Sequence, residues 1–297
     1  MRLKLMHTQT IVQKLSALDI GFRRYQDYIL HGDKHDVLES HFRDVLPGLV
    51  SRKKTFHVLD IGVGTGRLTK LVYQILDAEG LAPKLVALEP SDVAAAEFAK
   101  TLGRLTSKIS FQRSSFIVGT PLDHSRFDLV LAAHVWYYFD DKEGFVQQIM
   151  SLLKAGGHAI FVATSISVLQ NPLYQTILPL LRAKDDLPRT FESDGTTGFA
   201  EEIEHVLFEN NIVYRRVVLP SRIVFSRSEI EEDLRLIESG SQEGGPIIKA
   251  MSFLWQYPPA ALLTETGAWR QVFMECLEQA KPISLFYQDI VLYARSG

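Results

Sequence analysis

The chain has 297 residues, 46% of them apolar and 23% charged. This composition is ordinary for a folded globular protein and excludes a disordered, collagen-like or coiled-coil chain. With 32 lysines and arginines against 35 aspartates and glutamates, the net charge is -3. This balance lacks the basic excess that a nucleic-acid surface needs, so we expect no nucleic-acid partner.

A single cysteine, Cys276, limits the covalent and metal chemistry of the chain. It excludes an internal disulfide and a multi-thiolate metal site, and we expect no metal. The N-terminus has no apolar run of signal-peptide length, and no stretch reaches the roughly 18 apolar residues of a membrane span. We therefore expect a cytoplasmic protein with no membrane partner. Its oligomeric state stays open, with a monomer preferred.

The pattern of apolar residues in the first half of the chain predicts helices followed by alternating strands and helices. Residues 10 to 50 have helical spacing of apolar residues, which ends at Pro47 and Gly48. Alternation of short apolar strands with helices of about ten to fifteen residues is typical of an α/β domain with a mainly parallel sheet. The predicted elements are strand 58–61, a helix containing 68–75, strand 85–88, helix 93–102, strand 109–111, strand 127–133, helix 141–153 and strand 158–163.

The residue pattern in the second half of the chain predicts further helices and two late strands. The helices lie near 170–183, 199–209, 227–238 and 266–280, and the strands at 212–219 and 285–293. If both strands join the sheet, the segment between them is an insertion rather than a separate domain. We predict an N-terminal helical lid over 1–50, an α/β core over 51–165, and a helical insertion with closing strands over 166–297.

A glycine-rich turn follows the first strand of the core. Gly62, Gly64 and Gly66 separate that strand from a helix, so a ligand can approach the backbone N–H groups and the helix N-terminus closely. Arg67 stands where a dinucleotide-binding fingerprint has its third glycine, which disfavours NAD. Asp60 at the strand end suits a ligand with an ammonium group. These features point to S-adenosylmethionine, whereas the alternative is a tight turn capped by Asp60.

The second strand of the core ends in a further acid. Glu89 is placed to accept hydrogen bonds from ribose hydroxyls, and Pro90 beside it offers a flat apolar surface to a base. The alternative is that Glu89 is a solvated charge at a strand end.

These core motifs, in this order and spacing, resemble a class I S-adenosylmethionine-dependent methyltransferase. Nearly end to end, the chain is similar to the histamine N-methyltransferase family. The narrower matches are Phe22-Arg23-Arg24-Tyr25, Leu46-Pro47-Gly48-Leu49, Leu88-Glu89-Pro90-Ser91, Val135-Trp136-Tyr137-Tyr138 and Asp289-Ile290-Val291-Leu292. The resemblance implies a Rossmann-like sheet, mostly parallel with an antiparallel last strand, under an N-terminal helical lid and with a C-terminal helical insertion.

The resemblance also assigns site residues by position. The residues that would line the cofactor are Gly62, Glu89, Ser114 and Ala133. His134 falls where the family has a substrate-facing glutamine, and Asp33 lies beside the position of its substrate-binding glutamate, which is near Lys34. The family's late asparagine falls near Tyr287 or Gln288, and Gln288 is taken as a substrate-binding candidate. Because Lys34 departs from the family's acid, the acceptor need not be histamine.

Methyl transfer requires alignment of a nucleophile and exclusion of water, and an amine nucleophile must be neutral. We predict catalytic roles for His134, Tyr137 and Tyr138, and substrate contacts for Tyr25 and Trp136. The alternatives are a buried histidine at 134, simple packing for Tyr25, and core packing for at least one of the three adjacent aromatic residues.

The sequence thus predicts methyl transfer to a small molecule, first of all to a nitrogen of an amine or heteroaromatic compound. One alternative is a hydroxyl or carboxyl acceptor with His134 as base. The other is a catalytically silent module that binds the cofactor or a partner.

Overall fold

A computed structural model describes residues 31–50, 55–119, 126–182, 199–255 and 259–297. Within these ranges the strands are β1 (Thr55–Ile61), β2 (Ala82–Leu88), β3 (Ile109–Gln112), β4 (Phe127–Ala133), β5 (Leu153–Thr164), β6 (Tyr214–Phe225) and β7 (Ile283–Arg295). The helices are α1 (Lys34–Leu49), α2 (Arg67–Ala78), α3 (Asp92–Leu102), α4 (Lys142–Leu152), α5 (Pro172–Arg182), α6 (Ala200–Glu209), α7 (Arg227–Glu238), α8 (Pro246–Trp255), α9 (Pro259–Leu262) and α10 (Thr266–Glu278).

The strands form one seven-stranded sheet in the order β3-β2-β1-β4-β5-β7-β6. The pairs β1–β2, β1–β4, β2–β3 and β4–β5 are parallel, whereas β7 runs antiparallel to β5. This confirms the predicted Rossmann-like sheet with its antiparallel last strand. Because β6 and β7 are neighbours, the helices between them are an insertion between two strands of the same sheet.

The centre of the sheet is covered on both faces. Successive residues of β4 alternate between two apolar clusters: Leu129 and Leu131 pack in one, and Val130 and Ala132 in the other. Side chains of a strand point alternately to opposite faces, so a strand covered on both sides reads as a continuous apolar run. The run from 127 to 133 was predicted for this reason, and β4 has the same bounds.

Several elements are longer than the sequence indicated. Helix α1 continues through Pro47 to Leu49, contrary to the predicted end at Pro47, because this proline lies in the last turn. Strand β5 begins at Leu153 and runs through the predicted break at Gly156 and Gly157, with an irregular register against β4. Helix α8 was not predicted.

The described residues form two compact units. The first, called the sheet unit, comprises the described residues of 36–166, 195–219 and 289–297, and it contains β1 to β5. The second comprises those of 1–35, 167–194 and 220–288, and it contains α5 and α7 to α10. No helix among the described residues is long and apolar enough to cross a membrane.

Candidate functional site

The glycine turn between β1 and α2 has three left-handed residues. The φ angles of Gly62, Gly64 and Gly66 are 68°, 53° and 75°. A Cβ at Gly62 would overlap Val135, and one at Gly66 would lie 2.6 Å from the ring of Phe98. Two of the three glycines are therefore required by the backbone and by packing within the protein.

Hydrogen bonds fix this turn against the end of β2. The N–H groups of Gly62 and Val63 both donate to the carbonyl of Leu88, at 2.8 and 3.2 Å. Gly66 is the N-cap residue of α2 and has no side chain with which to cap it. The first N–H groups of α2 therefore offer a partial positive charge to an anionic or oxygen-rich group at the edge of the sheet.

Asp60 is a buried acid at the carboxyl end of β1. Its side chain is 3% exposed and accepts a hydrogen bond of 2.6 Å from the hydroxyl of Thr69. Burial raises the pKa of Asp60, the hydrogen bond from Thr69 lowers it and the charge of Glu89 raises it, and together they bring it to about 7. Near neutral pH this carboxyl can therefore be protonated in one state and charged beside a cation in another.

Glu89 connects the glycine turn with the start of α3. Its Oε2 accepts from the N–H of Gly64 and its Oε1 from the N–H of Ser91, both at 2.9 Å. Ser91 caps α3 by accepting from the N–H of Ala94. Glu89 is only 7% exposed, so it is not the solvated strand-end charge that was the alternative.

The remaining cofactor candidates lie at the same edge. Pro90 follows Glu89 and is half-buried, Ser114 is exposed just beyond β3, and Ala133 ends β4. Because β3, β2, β1 and β4 are adjacent and parallel, their carboxyl ends share one edge of the sheet. The structure thus brings all eight predicted cofactor residues to the carboxyl ends of four neighbouring strands.

His134 stands immediately after β4 in an unusual backbone conformation. Its φ is 55°, in the left-handed region that residues other than glycine rarely adopt. Its N–H donates to the carbonyl of Val162 in β5 at 2.8 Å. The side chain is 24% exposed, with Nε2 3.4 Å from Oδ2 of Asp289.

Asp289 is a functional candidate that the sequence prediction missed. It lies opposite Thr164 in the pairing of β5 and β7, and the Thr164 hydroxyl donates to its Oδ1 at 3.3 Å. The residue is 2% exposed and precedes a run of fully buried apolar residues. An acid inside an apolar strand is the sequence signal that could have indicated it, because buried carboxylates are rare unless paired.

The aromatic residues after His134 have different surroundings. Trp136 is 1% exposed, donates from Nε1 to Glu202 at 2.7 Å, and has the ammonium of Lys142 4.9 Å from its ring. It packs in the core, so we do not retain it as an acceptor contact. Tyr137 and Tyr138 share its 3-10 turn, and Tyr138 is exposed.

The other substrate candidates belong to the second unit or lie outside the described residues. Asp33 accepts from the N–H of Arg222 at 2.8 Å. Gln288 is exposed and accepts from the hydroxyl of Ser167 at 3.3 Å. Each has a local partner within its own unit. Tyr25 and most of the predicted lid fall within residues 1–30, outside the described ranges.

Comparisons with known proteins define the domain. A family model described as a methyltransferase domain matches residues 59–161, from β1 into β5. A protein from Bacillus halodurans C-125, provisionally identified as a methyltransferase, shares the fold at 14% identity. The match covers 85% of this chain and 97% of that one, with a TM-score of 0.50. The N-methyltransferase NodS from Bradyrhizobium japonicum WM9 is 19% identical over 63% of this chain and 89% of its own, with a TM-score of 0.45. No curated protein sequence matches the chain.

The fold and the matched domain define a class I methyltransferase. The chain is an S-adenosylmethionine-dependent methyltransferase, and S-adenosylmethionine is its cofactor. The residues at the carboxyl edge of the sheet fit the chemical groups of S-adenosylmethionine. A buried carboxyl is suited to an ammonium, and a second carboxylate held by two backbone N–H groups is suited to ribose hydroxyls. A helix start with a glycine at its N-cap is suited to a carboxylate.

Proposed function

We propose that the protein methylates a nitrogen of a small amine or heteroaromatic molecule. The observation that carries this proposal is the imidazole of His134 beside the buried carboxylate of Asp289, at the carboxyl edge of the sheet. A protonated amine has no lone pair for attack, so its methylation needs a group that takes a proton. An imidazole beside a carboxylate is suited to this because the carboxylate stabilises the imidazolium that forms.

Cofactor binding is assigned to the ends of β1 to β4. In this proposal Glu89 accepts from the ribose hydroxyls, Asp60 faces the ammonium, and the glycine turn with the start of α2 holds the carboxylate. The adenine base of the cofactor lies among Pro90, Ser114 and Ala133. When bound, S-adenosylmethionine supplies an electrophilic methyl group on a sulfonium.

Acceptor binding is assigned to the residues after β4. His134 takes the proton of the amine, and its partial exposure leaves a path by which that proton reaches solvent. Tyr138, exposed on the following turn, offers an aromatic face to a flat or cationic molecule. In the resemblance to the histamine N-methyltransferase family, His134 falls at the position of a substrate-facing glutamine, which supports a role of His134 toward the acceptor.

The proposal is tested by product formation with matched acceptors. The protein is incubated with S-adenosylmethionine and pairs of small molecules that differ only in an amine or a hydroxyl, such as an aromatic ethylamine and its alcohol. We expect S-adenosylhomocysteine with the amine member of a pair, and fragmentation that places the methyl group on nitrogen. Methylation of the alcohols alone would replace the proposal with oxygen transfer, and methylation of RNA or a protein tail would contradict a small-molecule acceptor.

A further inference from the structure

We propose that Asp289 is a positioning residue for the proton transfer from the acceptor amine to His134, an inference that rests on the proposed function. Its carboxylate lies 3.4 Å from Nε2 of His134, and this negative charge favours the tautomer with the proton on Nε2, so that Nδ1 is the atom that takes the proton of the acceptor amine. Asp289 is 2% exposed, whereas His134 is the more exposed member of the pair. The carboxylate therefore acts through the imidazole rather than on the acceptor.

Strand β5 holds both members of the pair. It lies between β4 and β7 in the sheet. The carbonyl of Val162 accepts from the N–H of His134, and two residues later the hydroxyl of Thr164 donates to the carboxylate of Asp289. A single strand thus fixes the backbone of the histidine and the carboxylate that faces it.

The backbone of His134 carries a conformational cost that this arrangement explains. A left-handed residue other than glycine is strained and persists only where its surroundings determine it. At His134 the hydrogen bond to Val162 supplies that restraint. Such outliers cluster at functional sites, and here the outlier brings the imidazole to the buried carboxylate.

A second buried acid in the same sheet shows what a structural carboxylate looks like. Asp128, near the amino end of β4, is 5% exposed and accepts from the ammonium of Lys154 at 2.6 Å and from the N–H of His57 at 2.9 Å. Its charge is balanced by a lysine, as folding requires of a buried charge. Asp289 lies 3.4 Å from the imidazole of His134.

The proton transfer balances without any other reactant. One N–H bond of the protonated amine breaks, its electron pair stays on nitrogen, and the proton bonds to the lone pair of Nδ1. The positive charge moves from the ammonium to the imidazolium, which the carboxylate of Asp289 stabilises while remaining ionised. The neutral amine then has the lone pair that methylation requires.

Nitrogen-15 spectra of the histidine rings directly test which ring nitrogen of His134 carries the proton. The His134 signal is identified by its loss in His134→Gln, and spectra are taken over a pH series up to the value at which this signal stops changing. We expect Nε2 to be protonated in the wild type, and Asp289→Asn to shift His134 toward the Nδ1-protonated tautomer because the amide can donate to Nε2. The matched variant Asp128→Asn should leave the tautomer unchanged. An Nδ1-protonated wild type, or an unchanged tautomer in Asp289→Asn, would overturn the proposal.

Kinetics of the same variants separate positioning from folding. With an accepted amine, Asp289→Asn should lower kcat by about 100-fold or more while cofactor affinity stays within about twofold. Unchanged kcat would also overturn the proposal. If Asp289→Asn does not fold, the wild-type tautomer alone decides, because an Nδ1-protonated ring overturns the proposal and an Nε2-protonated ring supports it. If the wild type accepts no amine, the proposed function fails while the spectra still decide the role of Asp289.

Discussion

The carboxyl edge of the sheet has two halves that are built differently. At the ends of β1 and β2, the fixed groups are backbone N–H groups of one continuous turn, held by an acid that comes 25 residues after Gly64. At the ends of β4 and β5 and beside them in the middle of β7, the groups are side chains from strands far apart in the chain. We call these the cofactor half and the acceptor half.

This difference indicates how one fold serves different acceptors. Backbone groups and glycines offer little room for substitution, because a Cβ at Gly62 or Gly66 would overlap neighbouring side chains. Side chains such as His134 can be exchanged without altering the sheet. Function on a common fold is decided by such replaceable groups. Variants of each half should therefore have separate effects.

The largest effect is expected in the acceptor half. His134→Ala should lower kcat by about 100-fold to 10,000-fold, because a general base contributes that much, while cofactor affinity stays within about twofold. The measurements are turnover with saturating amine and calorimetric titration of cofactor. His158→Ala is the matched control, since His158 also lies on the sheet, in β5. Equal losses of turnover and cofactor affinity in His134→Ala would contradict an acceptor role.

Gly62→Ala should affect both halves, because its Cβ would overlap Val135, the neighbour of His134. Left-handed strain and overpacking together should lower the free energy of unfolding by about 2 to 4 kcal/mol, measured by urea denaturation. Gly80→Ala is the control, since Gly80 has a φ of 74° but no atom within 4 Å of its Cβ. The double variant Gly62→Ala/Val135→Ala should recover the part of the lost unfolding free energy that is due to overlap with Val135. A Gly62→Ala protein as stable as Gly80→Ala would show that the turn tolerates a side chain.

The cofactor half could be predicted from the sequence because its signals are local. Asp60, the glycines and Glu89 follow apolar strands directly, and parallel strands bring such ends together. The acceptor half was predicted only in part. His134 has a local signal, its place after β4, whereas the contact with Asp289 depends on the pairing of β5 with β7. That register cannot be derived from spacing along the chain.

The ends of the strands also depend in part on contacts that the local sequence does not indicate. Strand β4 was predicted in full because both of its faces are buried. Strand β6 was predicted only over 212–219, but it continues to Phe225, past Pro220. A proline usually marks a strand end or an edge strand, and β6 is the edge strand of the sheet. The proline alone does not distinguish a strand end from an edge strand, and the order of the whole sheet decides between them.

Glu89→Ala tests the cofactor half alone. Loss of a hydrogen bond to a charged group costs about 1.5 to 3 kcal/mol, so cofactor affinity should fall roughly ten- to a hundredfold. Calorimetry on a protein shown to be folded by circular dichroism gives the value, and turnover should recover at saturating cofactor. Glu97→Ala, on α3 and paired with Lys100, should bind like the wild type. Unchanged affinity in folded Glu89→Ala would remove Glu89 from the cofactor half.

The smallest effect is a pH dependence at Asp60. Its folded pKa of about 7 lies above the ordinary value of 3.8. The contribution of the protonated group to stability is therefore fully present below about pH 4 and is lost as the pH rises through about 7. Asp60→Asn has no such loss, so without cofactor its Tm should exceed that of the wild type at pH 8 by a few degrees, while cofactor affinity falls.

The control for this comparison is Asp77→Asn, at an exposed position of α2. Its Tm should follow that of the wild type at pH 5 and pH 8. An Asp60→Asn protein that loses Tm at pH 8 would show that the ionised carboxylate stabilises the fold, which is opposite to the sign derived from its burial.

A double-mutant cycle tests the separation of the two halves most directly. The ratio kcat/KM for S-adenosylmethionine is measured with saturating amine in the wild type, Glu89→Ala, His134→Ala and the double variant. Sites without a shared contact add within about 0.5 kcal/mol. We therefore predict that the loss in the double variant equals the product of the two single losses within about twofold. A double variant no worse than His134→Ala would mean that the two residues act as one unit, and it would contradict the separation.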